Sequence, residues 1–93
     1  MKVAREIKKL TGWTGDARVF ELSEPMQYEG GKTKYVVVSA TVAPFTGAET
    51  YIFPSDEKGD VKKFSELDGS YRGGLDHAQA LEGAGYEIVK SAA

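Results

Sequence analysis

The stretch of residues 33–43 constrains the fold of this chain most strongly, because apolar side chains recur there at every second position. One face of the stretch carries Val36, Val38, Ala40 and Val42. The other face carries Tyr35, Val37, Ser39 and Thr41. A period of two is typical of a β-strand, and the aliphatic face predicts the side that packs on the core. Because the opposite face is also partly apolar, we predict that this strand lies in the centre of a sheet.

The segments on either side of this strand predict two antiparallel neighbours. Glu29-Gly30-Gly31-Lys32 is a strong turn signal, and it joins the strand to a preceding one at residues 17–22. Pro44-Phe45-Thr46-Gly47 is a second turn, and it leads to a strand at residues 49–53. Ser23-Glu24-Pro25 interrupts the first of these strands, and since proline cannot donate to a ladder we expect an edge or a bend there.

Helical spacing is found near both ends of the chain. Residues 2–10 predict a short amphipathic helix, with Gly12 as its C-terminal cap. Its apolar positions are Val3, Ile7 and Leu10. Residues 75–83 predict a second helix, followed by a last short strand at residues 86–89. A helix as short as the first is marginal alone, so we expect it to pack on the sheet.

These elements predict one α+β domain spanning residues 1–93. Its core, residues 17–89, is expected to be a small, mainly antiparallel sheet of three to five strands with a helix in the C-terminal half. Residues 1–12 are expected to form a short N-terminal helical extension packed on that sheet.

Composition excludes several classes of function. The net charge is −2, so the basic excess of a nucleic-acid-binding domain is missing. The chain has no cysteine, which removes disulfides and thiolate metal sites. It has no apolar run approaching the roughly 20 residues of a membrane span, and the stretch Met1-Lys2-Val3-Ala4-Arg5-Glu6 lacks the apolar character expected of a signal peptide. We therefore expect a cytoplasmic protein with neither nucleic acid nor membrane as its partner.

His77 is the only histidine and the natural candidate for a general base. Ser70 and Asp76 lie nearby in sequence, but adjacent helical residues point in different directions, so Asp76 is badly placed to orient His77. The pattern favours a surface histidine over a catalytic triad.

Two further motifs have a structural and a chemical interpretation. Asp56, Glu57 and Asp60 lack the alternating oxygen ligands of a calcium loop and are more typical of a solvated turn. Arg72-Gly73-Gly74 precedes a helix, as in anion sites, but it lacks the phosphate-loop ending, and Asp76 would repel an anion. We predict no metal, cofactor or catalytic residue.

Aromatic residues provide the candidate partner-binding surface. Tyr35, Tyr51 and Phe53 share the second sheet face if the strand register allows it, and such a face marks an interface when nothing covers it. The alternative is that the N-terminal helix covers it. Trp13, in a glycine-flanked loop, is either a lid over the core or an exposed anchor.

Four stretches of the sequence resemble small uncharacterised proteins encoded by phages of actinobacteria, such as mycobacteriophages. They are Tyr35-Val36-Val37-Val38-Ser39-Ala40, Tyr51-Ile52-Phe53-Pro54-Ser55-Asp56-Glu57-Lys58-Gly59-Asp60-Val61, Glu66-Leu67-Asp68-Gly69-Ser70-Tyr71-Arg72-Gly73-Gly74-Leu75-Asp76-His77 and Gly85-Tyr86-Glu87. The resemblance spans residues 17–89 and carries no assigned activity. It implies a small accessory protein inside an infected bacterium, a context in which many proteins of this size bind a host protein.

The expected function is therefore that of a non-enzymatic phage accessory protein acting by protein–protein contact, with modulation of a host factor as one outcome. Its contact residues are expected to be Trp13, Tyr35, Tyr51 and Phe53. One alternative is a homo-oligomeric structural or virion-associated component. Another is a small hydrolase or ligand-binding domain that uses Ser70, Arg72 and His77.

Overall fold

The computed structural model describes residues 2–13, 15–28, 30–43, 47–62, 71–72 and 76–89, which form a sheet and one helix. The elements are β1 (Val3–Lys9), β2 (Asp16–Tyr28), β3 (Gly31–Ala43), β4 (Gly47–Ser55), β5 (Tyr71–Arg72), α1 (His77–Gly83) and β6 (Glu87–Val89). The sheet order is β5-β4-β3-β2-β1-β6. Its pairings are antiparallel except for β1 with β6, which is parallel, so the sheet is mixed. The α+β class predicted from the sequence is confirmed.

β3 lies in the interior of the sheet, between β2 and β4, as its two-sided apolar pattern predicts. Tyr28 pairs with Gly31 across the predicted glycine turn. The aliphatic face is buried at Val36, Val38 and Ala40, but it opens to solvent at Val42, which is 63% exposed near the end of the strand.

The N-terminal helix predicted for residues 2–10 is wrong, because Val3–Lys9 is a strand. The spacing of Val3 and Ile7 by four residues places them on one face of a helix, but it also places them on one face of a strand. β1 pairs with β2 on one side and with β6 on the other, so its backbone makes sheet hydrogen bonds on both sides. A short helix docked on the surface would have been stabilised only by side-chain packing. This segment is therefore an inner strand of the sheet instead of a helical extension.

One sheet face, here called the helix face, packs against α1. Ala80 and Leu81 of the helix are completely buried against the side chains of β2, β3 and β4. Those sheet side chains are Phe20, Leu22, Val36, Val38 and Ile52. The helix begins after Asp76, whose carboxylate Oδ1 accepts hydrogen bonds from the backbone N–H groups of Ala78 at 3.0 Å and Gln79 at 3.2 Å. The helix predicted at residues 75–83 is thus present over His77–Gly83.

The opposite face, here called the second face, has a smaller core of Ala17, Val19 and Val37. Leu10 and Trp13, from the loop that follows β1, pack against this core together with Val61. A Cβ atom placed on Gly59 would lie 2.7 Å from Leu10 Cδ2 and 2.9 Å from Val19 Cγ2. The turn after β4 therefore packs closely against Leu10 and the second-face core. Loops rather than an N-terminal helix therefore cover this part of the second face.

A large bulge occupies the Ser23-Glu24-Pro25 segment of β2. The β2–β3 register changes between the pairs Glu21–Tyr35 and Met26–Thr33, so four residues of β2 lie opposite one residue of β3. The expectation of a bend is met, whereas an edge is not, since β2 lies between β1 and β3. The Tyr86 hydroxyl donates to the Glu24 carbonyl at 2.8 Å, so the bulge is tied to the chain that leads into β6.

In the described ranges, no helix has the length and apolar character needed to cross a membrane.

Candidate interaction face

Strand register places three of the four predicted contact residues on the second face. Val37 pairs with Phe53, Ser39 with Tyr51, and Tyr35 with Ser55. Cross-strand partners project to the same side of a sheet, so Tyr35, Tyr51 and Phe53 share the face that bears Val37.

Trp13 joins two of these residues from the loop after β1. Its ring centroid lies 6.3 Å from that of Phe53, at an interplanar angle of 36°. The Tyr51 and Phe53 centroids are 6.0 Å apart, at 32°. Both separations lie within the range in which aromatic rings attract one another. Trp13, Tyr51 and Phe53 are called the aromatic cluster below.

The residues of the aromatic cluster are neither fully buried nor fully exposed. Trp13 packs against the second-face core while part of its surface remains in contact with solvent. The two alternatives for this residue, core lid and surface anchor, are therefore compatible. A partly exposed ring that is held by its neighbours presents apolar area with little freedom left to lose on binding.

Tyr35 lies on the same face and takes part in a polar contact. Its hydroxyl donates to Glu21 Oε2 at 3.3 Å, and the other carboxylate oxygen of Glu21 accepts a hydrogen bond from Arg5 Nη2. Burial and the adjacent negative charge of Glu21 raise the pKa of Tyr35 above its usual value. Tyr35 therefore stays a neutral hydrogen-bond donor through the physiological pH range.

Tyr51 also donates a hydrogen bond to a carboxylate, that of Glu49. Glu49 is only 6% exposed, so this acidic residue is buried at the margin of the aromatic cluster. Two of the three aromatic residues on β3 and β4 thus have hydroxyl groups oriented by acids of the same face.

His77 and Asp76, the two residues considered for a triad that lie within the described ranges, make different hydrogen bonds. His77 Nε2 lies 2.8 Å from the backbone carbonyl oxygen of Asp16, and its ring packs beside Phe20 at 6.3 Å between centroids. Asp76 accepts from the helix N-terminus. Ser70, the third residue considered for a triad, lies outside the described residues.

The turn considered for calcium is organised by its own backbone. Asp56 Oδ1 accepts from the N–H groups of Lys58 at 2.9 Å and Asp60 at 3.0 Å. These backbone hydrogen bonds lower the pKa of Asp56. Among the described residues no group of three or more acidic or histidine side chains is arranged to hold a metal ion. Of the Arg72-Gly73-Gly74 motif, Arg72 ends β5, and the two glycines lie outside the described residues.

A charged network centred on Arg18 was not foreseen from the sequence. Arg18 binds the Asp16 carboxylate through two hydrogen bonds, Nε to Oδ1 at 3.0 Å and Nη2 to Oδ2 at 2.6 Å. Its Nη1 also donates to Glu6 Oε1 at 3.0 Å. The paired guanidinium lowers the pKa of Asp16, and the two carboxylates raise that of Arg18. The available signal was the spacing of Asp16 and Arg18, which puts both on one face of β2.

We expect acid to weaken the fold partly through this network. Because folding lowers the pKa of Asp16 below its unfolded value of about 3.9, its contribution is fully present above that value and is lost as pH falls through the folded-state pKa. Urea unfolding midpoints measured from neutral pH to about pH 3 should therefore decline, and less steeply for Asp16→Asn than for the wild type. Glu82→Gln, which alters an exposed acid on α1, is the control. Equal declines for Asp16→Asn and the wild type would contradict this role.

Comparison with known proteins finds no match to this chain among family models, curated proteins or solved structures. The arrangement of side chains on the second face is accordingly the basis for a functional proposal.

Proposed function

We propose that this chain is a non-enzymatic binding protein that contacts a protein partner through its second face. The observation that carries the proposal is the aromatic cluster, in which three rings, two from β4 and one from the loop after β1, stand side by side and partly exposed. Tryptophan and tyrosine dominate the energetics of protein interfaces because they bury large apolar area and keep a polar atom for the rim.

The setting of the aromatic cluster supports the same function. Tyr51 and Phe53 project from β4, whose pairing with β3 extends over nine residue pairs. A regular sheet holds its side chains more rigidly than a loop, so fewer rotamers are lost when a partner binds. Tyr35, with its hydroxyl held by Glu21, adds an oriented polar group next to the apolar area.

The resemblance to actinobacterial phage proteins supports a biological context for this binding. In that context the chain is an accessory protein in the cytoplasm of an infected bacterium, and its partner is a host protein whose activity it modulates.

The test is a comparison of matched variants in partner capture and in quantitative binding. Phe53→Ser removes the central ring of the aromatic cluster, and Val42→Ser removes an exposed apolar side chain on the helix face. Proteins crosslinked to the wild type during infection are identified, purified and titrated against each variant. We expect Phe53→Ser to weaken binding about tenfold or more, as for a central aromatic contact. Val42→Ser should bind within about twofold of the wild type.

Both variants must first show wild-type circular dichroism, so that a loss of binding is not a loss of folding. If no partner is captured, or if Phe53→Ser binds every captured partner as tightly as the wild type, the proposed function is wrong.

A second candidate function is self-association through the sheet edge. β6 is a three-residue edge strand, and Val89 on it and Ile7 on β1 are each 37% exposed. An accessible edge is a template for pairing with another chain. Light scattering on the purified protein decides this, since a monomer at every concentration argues against a homo-oligomer. The hydrolase alternative stays a prediction, as Ser70 lies outside the described residues.

A further inference from the structure

The bulge in β2 opens a cleft of about 260 Å³ near the β1–β6 side of the sheet. The cleft is lined by Val3, Arg5, Glu21, Leu22, Ser23, Lys34 and Val89. These residues come from four strands, and Lys34 is the β3 residue opposite the bulge. Bulges commonly redirect side chains at functional positions.

The negative charge in the cleft is already satisfied. Glu21 accepts from Arg5 through Oε1 and from the Tyr35 hydroxyl through Oε2. Each oxygen of this carboxylate therefore has a partner. Glu21 and Arg5 cancel in net charge, and the guanidinium retains N–H groups beyond the one that contacts Glu21.

The positive charge of the cleft exceeds the negative charge by one. Lys34 is exposed, and it makes no ion pair with any residue in the described ranges. Ser23 Oγ accepts a hydrogen bond from the Val3 backbone N–H at 2.9 Å, so its hydroxyl hydrogen is directed elsewhere and is available to donate. The cleft thus offers an ammonium group, a hydroxyl donor and the edge of a guanidinium group.

The remaining lining is apolar. Val3 on β1 and Val89 on β6 stand on neighbouring strands and provide aliphatic side chains beside these donors. Val89 is 37% exposed, so part of this apolar area faces solvent. A ligand with only a charged group would leave the apolar surface of Val3 and Val89 exposed to solvent. A ligand with only an alkyl group would leave the ammonium group of Lys34 without a counter-charge.

We infer that this cleft binds a single carboxylate carried on a short aliphatic group. One negative charge matches the excess of one positive charge, and a planar carboxylate suits guanidinium and hydroxyl donors. The volume of about 260 Å³ admits a group the size of one amino-acid residue rather than a large cofactor. Both a free small acid and the C-terminus of a peptide have this chemistry. The inference does not depend on the aromatic cluster.

The probe is N-acetyl-leucine, titrated into the full chain and followed by backbone amide NMR. We expect saturable shifts at Arg5, Ser23, Lys34 and Val89. N-acetyl-leucinamide, which is equal in shape but uncharged, should bind at least tenfold more weakly, because it cannot form a charge-assisted hydrogen bond with Lys34.

Two lysines on β3 provide a matched pair of variants. Lys34→Gln removes the ammonium group of the cleft, whereas Lys32→Gln removes an equal charge two residues away and outside the lining. We expect Lys34→Gln to weaken binding about tenfold and Lys32→Gln less than twofold. Val89→Asp, which adds a carboxylate to the cleft at an exposed position, should abolish binding without unfolding the chain.

Three results would overturn the inference. The first is the absence of saturable shifts up to about 10 mM probe, which corresponds to a binding free energy weaker than about 3 kcal/mol. The second is equal weakening of binding by Lys34→Gln and Lys32→Gln, and the third is tighter binding of inorganic phosphate than of N-acetyl-leucine. A tripeptide ending in leucine identifies the source of the carboxylate. Tighter binding of this peptide than of its C-terminally amidated form and of N-acetyl-leucine points to a chain terminus, whereas equal binding of peptide and N-acetyl-leucine points to a free acid.

Discussion

Phe20→Ala is expected to lower the free energy of unfolding by about 3–5 kcal/mol, the usual range for a buried phenylalanine. Phe20 is 1% exposed and lies at the centre of the helix-face core, between β1 and β3. Truncation removes a ring that contacts both the sheet and the start of α1, where its centroid lies 6.3 Å from that of His77. Rigid strands on either side prevent the site from collapsing around the cavity.

Thermal and urea unfolding measure this effect directly. A loss of that size lowers the Tm of a domain of this length by roughly 15 °C or more. Val42→Ala is the control, since Val42 is also apolar and on the helix face but is 63% exposed. Its effect should stay within about 0.5 kcal/mol. A loss below about 1 kcal/mol for Phe20→Ala would mean that the helix face is not the main core.

Gly15→Ala is expected to cost about 3 kcal/mol, because two penalties act at one position. The φ angle of Gly15 is +96°, a left-handed conformation that alanine adopts only with strain. A Cβ atom there would lie 2.4 Å from the Ala40 carbonyl oxygen and 2.9 Å from Thr41 Cα. Both are backbone atoms of β3, the central strand, and neither can move without disturbing the ladder.

Gly12→Ala separates the two penalties. Gly12 lies in the same loop with a φ of +82°, but a Cβ atom there would meet nothing within 4 Å. We expect it to cost about 1 kcal/mol, from backbone strain alone. Urea unfolding of both variants gives the comparison. Equal losses for Gly12→Ala and Gly15→Ala would show that the close approach of the loop to β3 does not constrain the fold.

The difference between β3 and β1 shows what sequence patterns can predict. In β3 the alternation extends over many residues and only the strand period fits it. In β1 the apolar residues Val3 and Ile7 fit both periods, and a bulge between Glu6 and Lys8 interrupts the alternation. The β1 residue that belongs to the core is Ala4, which is fully buried and pairs with Leu22. Its side chain is too small to mark it as a core position in the sequence pattern.

Long-range pairing was the second gap. The parallel pairing of β1 with β6 joins Val3 to Glu87. The sequence of neither segment predicts that it pairs with the other. The last strand was predicted at residues 86–89 and is present as Glu87–Val89, but its pairing with β1 was not predicted, because residues 2–10 were expected to be helical.

Of the candidate contact residues, those on strands were the predictable ones. Tyr35, Tyr51 and Phe53 follow from a period of two and a tight connection between β3 and β4. Trp13 belongs to a loop whose path depends on Gly15 meeting β3 and on Gly59 meeting Leu10. The cleft beside Lys34 exists because the bulge displaces β2 from β3. The sequence Ser23-Glu24-Pro25 predicts that the strand is interrupted, but it does not predict how many residues the bulge contains.

The parallel pairing of β1 and β6 also sets an order of events during synthesis. β2, β3 and β4 are joined by short connections, so they can assemble as soon as they leave the ribosome. β1 is made first, yet its outer side has no neighbour until Glu87–Val89 has been translated. A chain that stalls before β6 therefore leaves the outer side of the seven-residue strand β1 unpaired, whereas the finished sheet ends on this side in the three-residue strand β6. The β1–β6 pairing thus shortens the edge that is open to other chains, but only after Glu87–Val89 has been made.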